Sequence, residues 1–254
     1  MGSDTVIAWT DATFNIAWGC EKISPGCKFC YADRLSTQYG QPGLWGPGSR
    51  RRTFGYDYWQ KPILWNDKAR KDRRIMFVFS SSMCDVFDDH PSIVTERERL
   101  FSVIRKTPWI HWQLLTKRPE NFSGMLPPDW GDGYKNVWLG VSIENADYIH
   151  RVDILCKTPA RIHFISYEPA LGPLNGLDLS NIQWVIYGGE SGPKFRSHDL
   201  AWPRDMLRKC RKAGVAFFYK QSPAFRTETG IELDGQIIRE YPIQRNGLPQ
   251  LAKK

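Results

Sequence analysis

Apolar and polar positions along the chain fall into short runs rich in β-branched and aromatic residues, separated by longer stretches with helical spacing. The runs at 75–81 (IMFVFSS), 109–115 (WIHWQLL), 137–142 (VWLGVS), 161–166 (RIHFIS), 182–187 (IQWVIY) and 215–220 (VAFFYK) predict strands. Helices are predicted at 92–106, 145–156 and 202–213, the last stopping at Gly214, which suits the left-handed residue that ends a helix. An irregular first strand at 14–17, a cysteine-bearing loop and a helix at 30–39 make up a first unit. Strand starts recur about every 20–35 residues, the length of a βα unit. The expected fold class is therefore α/β: parallel strands with outer helices, curled into a partial or complete (β/α)6-type barrel.

Residues 1–254 read as one domain, with no low-complexity linker. Within it, 1–40 carry the cysteine loop and the first unit, and 41–74 form a basic, aromatic insertion. Residues 75–221 hold the βα units and 222–254 a C-terminal extension.

Polar motifs gather where strands end. The run at 75–81 leads into Ser82, Met83, Cys84 and Asp85, and that at 109–115 into Thr116, Lys117 and Arg118. Later strands run into Glu144, into Glu168, and into Gly188-Gly189-Glu190. In a βα barrel these ends share one face, the face on which such folds bind and react. Two glycines let backbone approach a ligand closely, and a carboxylate accepts from an ammonium group. Lys117 and Arg118 could bind a carboxylate or phosphate, Glu144 and Glu168 could orient hydroxyls or amines, and Lys220-Gln221 closes the last strand near substrate.

Composition narrows the class. Hydrophobic residues make up 41% and charged residues 24%, which excludes wholesale disorder. No stretch has the apolar length to cross a bilayer, and the start lacks a basic region followed by an apolar core, so a cytoplasmic protein without membrane association is expected. The net charge of +8 is concentrated. Residues 50–74 hold nine basic and three acidic groups, and residues 204–226 seven and one. The first stretch interleaves Tyr56, Tyr58, Trp59 and Trp65 with its cations, a pattern that can neutralise phosphates and stack bases. Arg50, Arg51 and Arg52, flanked by Gly48 and Gly55, are its best candidate for an exposed phosphate-binding block.

The six cysteines say more than the charge. Cys20, Cys27 and Cys30 fall within WGCEKISPGCKFCYA, whereas Cys84, Cys156 and Cys210 are scattered. A chain of 254 residues without a secretory start is not a disulfide scaffold, and clustered thiols in a reducing compartment are metal ligands. Three thiolates can hold three irons of a [4Fe–4S] cube and leave the fourth open. Zinc would need a fourth protein ligand, which Cys84 or a distant His would have to supply. The five His residues show no metal spacing, and His111 and His198 read as strand and loop residues. Cys156 and Cys210 lie in helical patterns and read as packing residues.

The ending Cys27-Lys28-Phe29-Cys30, with Cys20 upstream and a βα series behind it, resembles the radical S-adenosylmethionine superfamily. The spacing C-x6-C-x2-C departs from the superfamily's usual C-x3-C-x2-C. More closely, the chain resembles a phage and bacterial family with a three-cysteine motif that is radical-SAM-like. The matching pieces are TVIAWTDATFNIAWGCEKISPGCKFCYA, SSMCDVF, QLLTKRPENF, VWLGVSIEN, ISYEPALGPL, WVIYGGESG and GVAFFYKQ with LDG, in order over almost the whole chain.

The resemblance implies that Cys20, Cys27 and Cys30 hold a [4Fe–4S] cluster whose open iron binds S-adenosyl-L-methionine. One electron from a reductase or other donor would cleave it to methionine and a 5′-deoxyadenosyl radical, which abstracts hydrogen from substrate. In the superfamily a Gly-Gly-Glu-like motif follows the second strand and meets the methionine amine. Here Ser80, Ser81 and Ser82 stand at that place, and Gly188-Gly189-Glu190 comes late. Ser142, Glu144, Glu168, Gly188, Gly189 and Glu190 complete the expected cofactor contacts. The basic stretches and the phage association point to a nucleic acid or nucleotide as substrate. The competing expectation is a non-catalytic nucleic-acid-binding protein with a structural zinc or iron–sulfur site.

Overall fold

Among the described residues, seven strands, all parallel, stand side by side in chain order: β1 (Ala12–Thr13), β2 (Met76–Ser80), β3 (Ile110–Thr116), β4 (Val137–Ser142), β5 (Ile162–Tyr167), β6 (Trp184–Gly188) and β7 (Ala216–Gln221). The computed structural model describes residues 5–242. Parallel neighbours require crossovers, and these carry α1 (Tyr31–Gln38), α2 (Tyr56–Lys71), α3 (Val94–Lys106), α4 (Phe122–Met125), α5 (His150–Lys157) and α6 (Ala201–Ala213). Right-handed crossovers in a strictly sequential sheet place every helix on one face, so the sheet curls around the other. Since β1 and β7 do not pair, the result is the expected βα architecture as a partial barrel.

The period of two along each strand divides two cores. Phe77, Phe79, Trp138, Phe164, Trp184 and Phe218 form the inner cluster with Trp9, whereas Val78, Trp112, Leu139, Ile165, Tyr187 and Phe217 pack toward the helices. Gly140 lies in the inner series, and a Cβ there would sit 2.5 Å from the Phe164 ring, which fills that space. The gap between β1 and β7 is bridged by two chain segments. The backbone N–H of Tyr219 donates to the Ile238 carbonyl at 2.8 Å, and the Tyr241 hydroxyl donates to the Ala8 carbonyl at 3.3 Å. Residues 222–242, the described part of the expected C-terminal extension, thus return along β7; 243–254 lie outside the described residues.

Two expectations are corrected by the fold. The first strand is Ala12–Thr13 and not 14–17. Phe14, Ile16 and Ala17 are fully buried, but in a chain already turning toward the cysteine loop, so burial imitated a strand pattern. Residues 41–74 are not a simple insertion, because they contain α2, which completes the crossover from β1 to β2. Its buried residues Trp59, Pro62, Asn66 and Ala69 share one helical face, and Pro62 inside the helix masked that periodicity in the sequence. The Asn66 side chain accepts from the Trp109 backbone N–H at 3.0 Å, tying α2 to the sheet. Gly214 ends α6 with φ of 68°, as its position predicted.

His111 on the inner face of β3 packs against Phe77 and Trp138, at ring separations of 5.6 and 5.8 Å. Burial, then the positive charge of Arg161, lowers its pKa to about 4. The unfolded imidazole takes up its proton near pH 6.5, and the folded one does so only near 4. Stability is therefore unaffected above about pH 6.5, falls as pH drops to about 4, and then levels. The full loss is roughly 3 kcal/mol. His111→Gln should flatten this arm in urea titrations at several pH values; an unchanged acid slope in the variant would contradict the assignment.

Candidate functional site

Toward the C-terminal ends of the strands, the inner face changes from aromatic to polar. Ser81, Ser142, Ser166 and Lys220 replace the Trp and Phe residues below them, with Glu168 just beyond β5. Trp9, Phe79 and Leu115 make the floor of a cavity of about 200 Å³ that these residues wall. The opposite wall is the loop between β1 and α1, and it brings in Cys20, Cys27 and Cys30 together. Of the residues expected to contact a cofactor, Ser81, Ser82, Ser142, Glu168, Gly189 and Glu190 also line this cavity. Ser80, Glu144 and Gly188 do not. Glu168 and Lys220 face each other across it as an ion pair. A Cβ on Gly188 would come within 2.8 Å of the Glu168 carboxyl carbon, so the glycine makes room for that carboxylate.

The cysteine loop is clamped from three sides. Gly19, at φ of +116°, lets the chain pass where any Cβ would lie 2.5 Å from the Leu44 carbonyl. Beneath the loop, Glu144 is fully buried and accepts from the Ser24 hydroxyl at 2.7 Å, from Lys117 Nζ at 2.5 Å and from Arg151 Nη1 at 3.1 Å. Gly26 rests directly on it, since a Cβ there would be 2.6 Å from Glu144 Oε1. On the second side, Arg118 donates to the Glu21 carbonyl at 2.9 Å and reaches Cys20 Sγ at 3.6 Å. On the third, Arg196 donates to the Pro25 carbonyl at 3.0 Å while gripping both oxygens of Glu190.

Arg118 belongs to a buried charge chain. Asp85 and Asp88 hold it at 3.2 and 3.4 Å, and Asp88 also holds Arg51 at 2.8 Å. Asp85 accepts in addition from the Thr116 hydroxyl at 2.7 Å and the Lys117 backbone N–H at 3.1 Å. Desolvation raises the Cys20 pKa above that of an ordinary thiol, with Asp85 adding to it and Arg118 opposing. Burial raises Cys30 as well, and pushes Cys84, on the strand side of the same cavity, up to about 12. Burial thus favours the neutral thiols, so binding a metal at Cys20 and Cys30 would release protons. Among the described residues, no three His, Cys, Asp or Glu side chains already stand close enough to hold a single metal ion.

Several sequence expectations change in this light. Arg50, Arg51 and Arg52 are not an exposed block. Arg50 is exposed, but Arg51 is buried at 7% exposure on Asp88. Arg52 lies over the rings of Trp18 and Phe54, at 4.9 and 5.2 Å. The neighbouring aromatics likewise serve the core: Trp59 is buried, and Tyr58 stacks on Phe14 and Phe54. Charge density in sequence did not translate into surface because Asp88, 36 residues beyond Arg52, was the unseen partner of the middle arginine. Glu144 and Arg118 bond the cysteine loop directly, through the Ser24 hydroxyl and the Glu21 carbonyl, whereas Glu190 reaches it only through Arg196. His198 pairs with the Tyr187 hydroxyl at 2.7 Å, as a loop residue would. Sequence reading missed Asp88, Arg151 and Arg196, which carry no motif and acquire their roles through contacts distant in sequence.

The fold and its site define a parallel βα partial barrel with a cysteine-lined cavity at the C-terminal strand ends. Residues 4–242 match the family described as "Protein of unknown function (DUF5131)", and the chain belongs to that family. Comparison with curated proteins and with solved structures gives no match. Among the described residues, no helix is long and apolar enough to cross a membrane.

Proposed function

We propose that this chain is a radical S-adenosylmethionine enzyme acting on a nucleic-acid or nucleotide substrate. The observation that carries the reading is the convergence of Cys20, Cys27 and Cys30 on the one cavity that also receives the polar strand ends. The donor set suits an iron–sulfur cluster: Cys20, Cys27 and Cys30 line a common cavity, in a loop held by buried ion pairs. When bound there, a [4Fe–4S] cluster with an open iron would supply one-electron cleavage of S-adenosyl-L-methionine.

The chain's own residues do the rest. Arg118 places positive charge beside Cys20, which favours its thiolate. Glu168 offers a carboxylate to an ammonium group and Lys220 an ammonium to a carboxylate, the two charges of an amino acid. Ser142 and Ser166 present hydroxyls, and Trp9, Phe79 and Leu115 keep the floor dry for reactive chemistry. Anaerobic purification with iron and sulfide should give a brown protein that releases 5′-deoxyadenosine from S-adenosyl-L-methionine under reduction. A colourless protein holding one zinc per chain would instead favour a structural metal site in a non-catalytic binding protein.

A further inference from the structure

Arg50, Arg51 and Arg52 do not form one exposed block, but the loops that supply Cys27, Phe29 and Ser191 to the cavity wall carry other cations. Lys28, between the last two cysteines, is exposed. Arg34 on α1 lies against the bare backbone of Gly192, where a Cβ would be 3.0 Å from Nη1, and its buried Nε has no hydrogen-bond partner. Lys194 and Arg226 are exposed on the loops after β6 and β7, which meet where Ser191 pairs with Ala224. None of these four has a carboxylate partner among the described residues. By contrast, four of the five cations of α6, namely Arg204, Arg208, Lys209 and Arg211, are ion-paired.

Aromatic rings stand among them. Phe195 is 41% exposed and Phe225 62%, next to Lys194 and Arg226 respectively, and Tyr31 at the cavity wall is 38% exposed. Positive charges and exposed rings on loops next to a cavity suit a single nucleic-acid strand: phosphates meet the cations, bases stack on the rings, and one base turns inward.

We propose that this rim binds single-stranded nucleic acid across Lys28, Arg34, Lys194 and Arg226, with Phe195 and Phe225 as stacking platforms. The fate of the bound strand rests on the enzymatic reading above, whereas the binding itself does not. Flat, two-sided stacking needs unpaired bases, so the single strand is preferred over duplex. Four phosphate contacts give a slope of about −3 in log affinity against log salt, since a single strand contributes about −0.7 per contact. Affinity then falls about 50-fold between about 50 and about 200 mM salt.

The test is fluorescence anisotropy of a labelled oligonucleotide about 12 nucleotides long, within the span such grooves cover. The full chain is titrated both after anaerobic purification and after chelation of metal, with duplex of the same sequence alongside. Lys194→Ala with Arg226→Ala should halve the salt slope, and Phe225→Ala should weaken binding about tenfold with the slope kept. Lys71→Ala and Lys106→Ala, at the opposite end of the sheet, should change neither. All four proteins should keep the parent's thermal melt and iron content. Absence of saturable binding at low salt, tighter binding of duplex, or equal losses from the Lys71 and Lys106 variants would overturn the proposal. A colourless preparation that binds the strand supports the rim and defeats the cluster reading; an iron-loaded preparation that does not bind defeats the rim alone.

Discussion

Replacing Cys20, Cys27 or Cys30 by Ala, one at a time, is expected to remove most of the iron and sulfide that the parent chain takes up. The three thiols share one cavity wall, and a cube held by three thiolates has no spare protein ligand. Losing one leaves two attachment points on a loop whose position depends on contacts to Glu144, Arg118 and Arg196. Cys156→Ala and Cys210→Ala should retain full loading, because Cys210 is buried under α6 and Cys156 packs from α5 against the outer core. Cys84→Ala is the informative variant, since Cys84 lines the same cavity. Three-thiolate attachment predicts that it keeps its iron, whereas a four-cysteine site predicts loss. Iron and acid-labile sulfide per chain, measured anaerobically, decide the point.

Glu144→Ala should destabilise the fold more than any single cysteine replacement at the cavity. Its carboxylate has no solvent exposure and neutralises both Lys117 and Arg151, the latter almost fully buried. Removing it leaves two cations without their counter-charge in a low-dielectric place, which costs about 3–5 kcal/mol. The same change deprives Ser24 of its acceptor and Gly26 of the surface on which it rests, so the cysteine loop should loosen and iron uptake should fall in parallel. Glu144→Gln keeps the shape and the Ser24 acceptor but not the charge, and should lie between Ala and the parent. Urea unfolding measures the first effect and iron content the second. A loss under about 1 kcal/mol with normal loading would show that Glu144 does not anchor the loop.

The strands from β2 to β7 were legible because buried parallel strands concentrate β-branched and aromatic residues in short runs, and Phe77, Trp138 and Trp184 sit in such runs. The cysteine triad was legible for a different reason: C-x6-C-x2-C is local, and local spacing survives translation into space. What failed was non-local. Helix α2 hid behind Pro62 and a weakly segregated face, so its crossover read as an insertion. Arg51 looked exposed because its partner Asp88 lies across the cysteine-loop and strand boundary. Glu144 and Glu190 were placed near the site, but only the folded chain reveals that Ser24 and Arg196 bond to them. Polar residues at strand ends thus marked the face that carries the cavity without distinguishing wall from buttress. Ser142, Ser166, Glu168 and Lys220 are wall, Asp85 and Arg118 line the cavity as well as bracing the cysteine loop, and Glu144 and Arg196 hold that loop without lining the cavity.

The most direct measurement of the central claim is the electron paramagnetic resonance spectrum of the anaerobically prepared, reduced protein, recorded with and without S-adenosyl-L-methionine. Attachment through Cys20, Cys27 and Cys30 with one iron open predicts a reduced-cluster signal that changes shape when the cofactor is added, and that disappears in Cys27→Ala. A signal that the cofactor leaves unchanged, or a protein with zinc and no cluster signal, would contradict it.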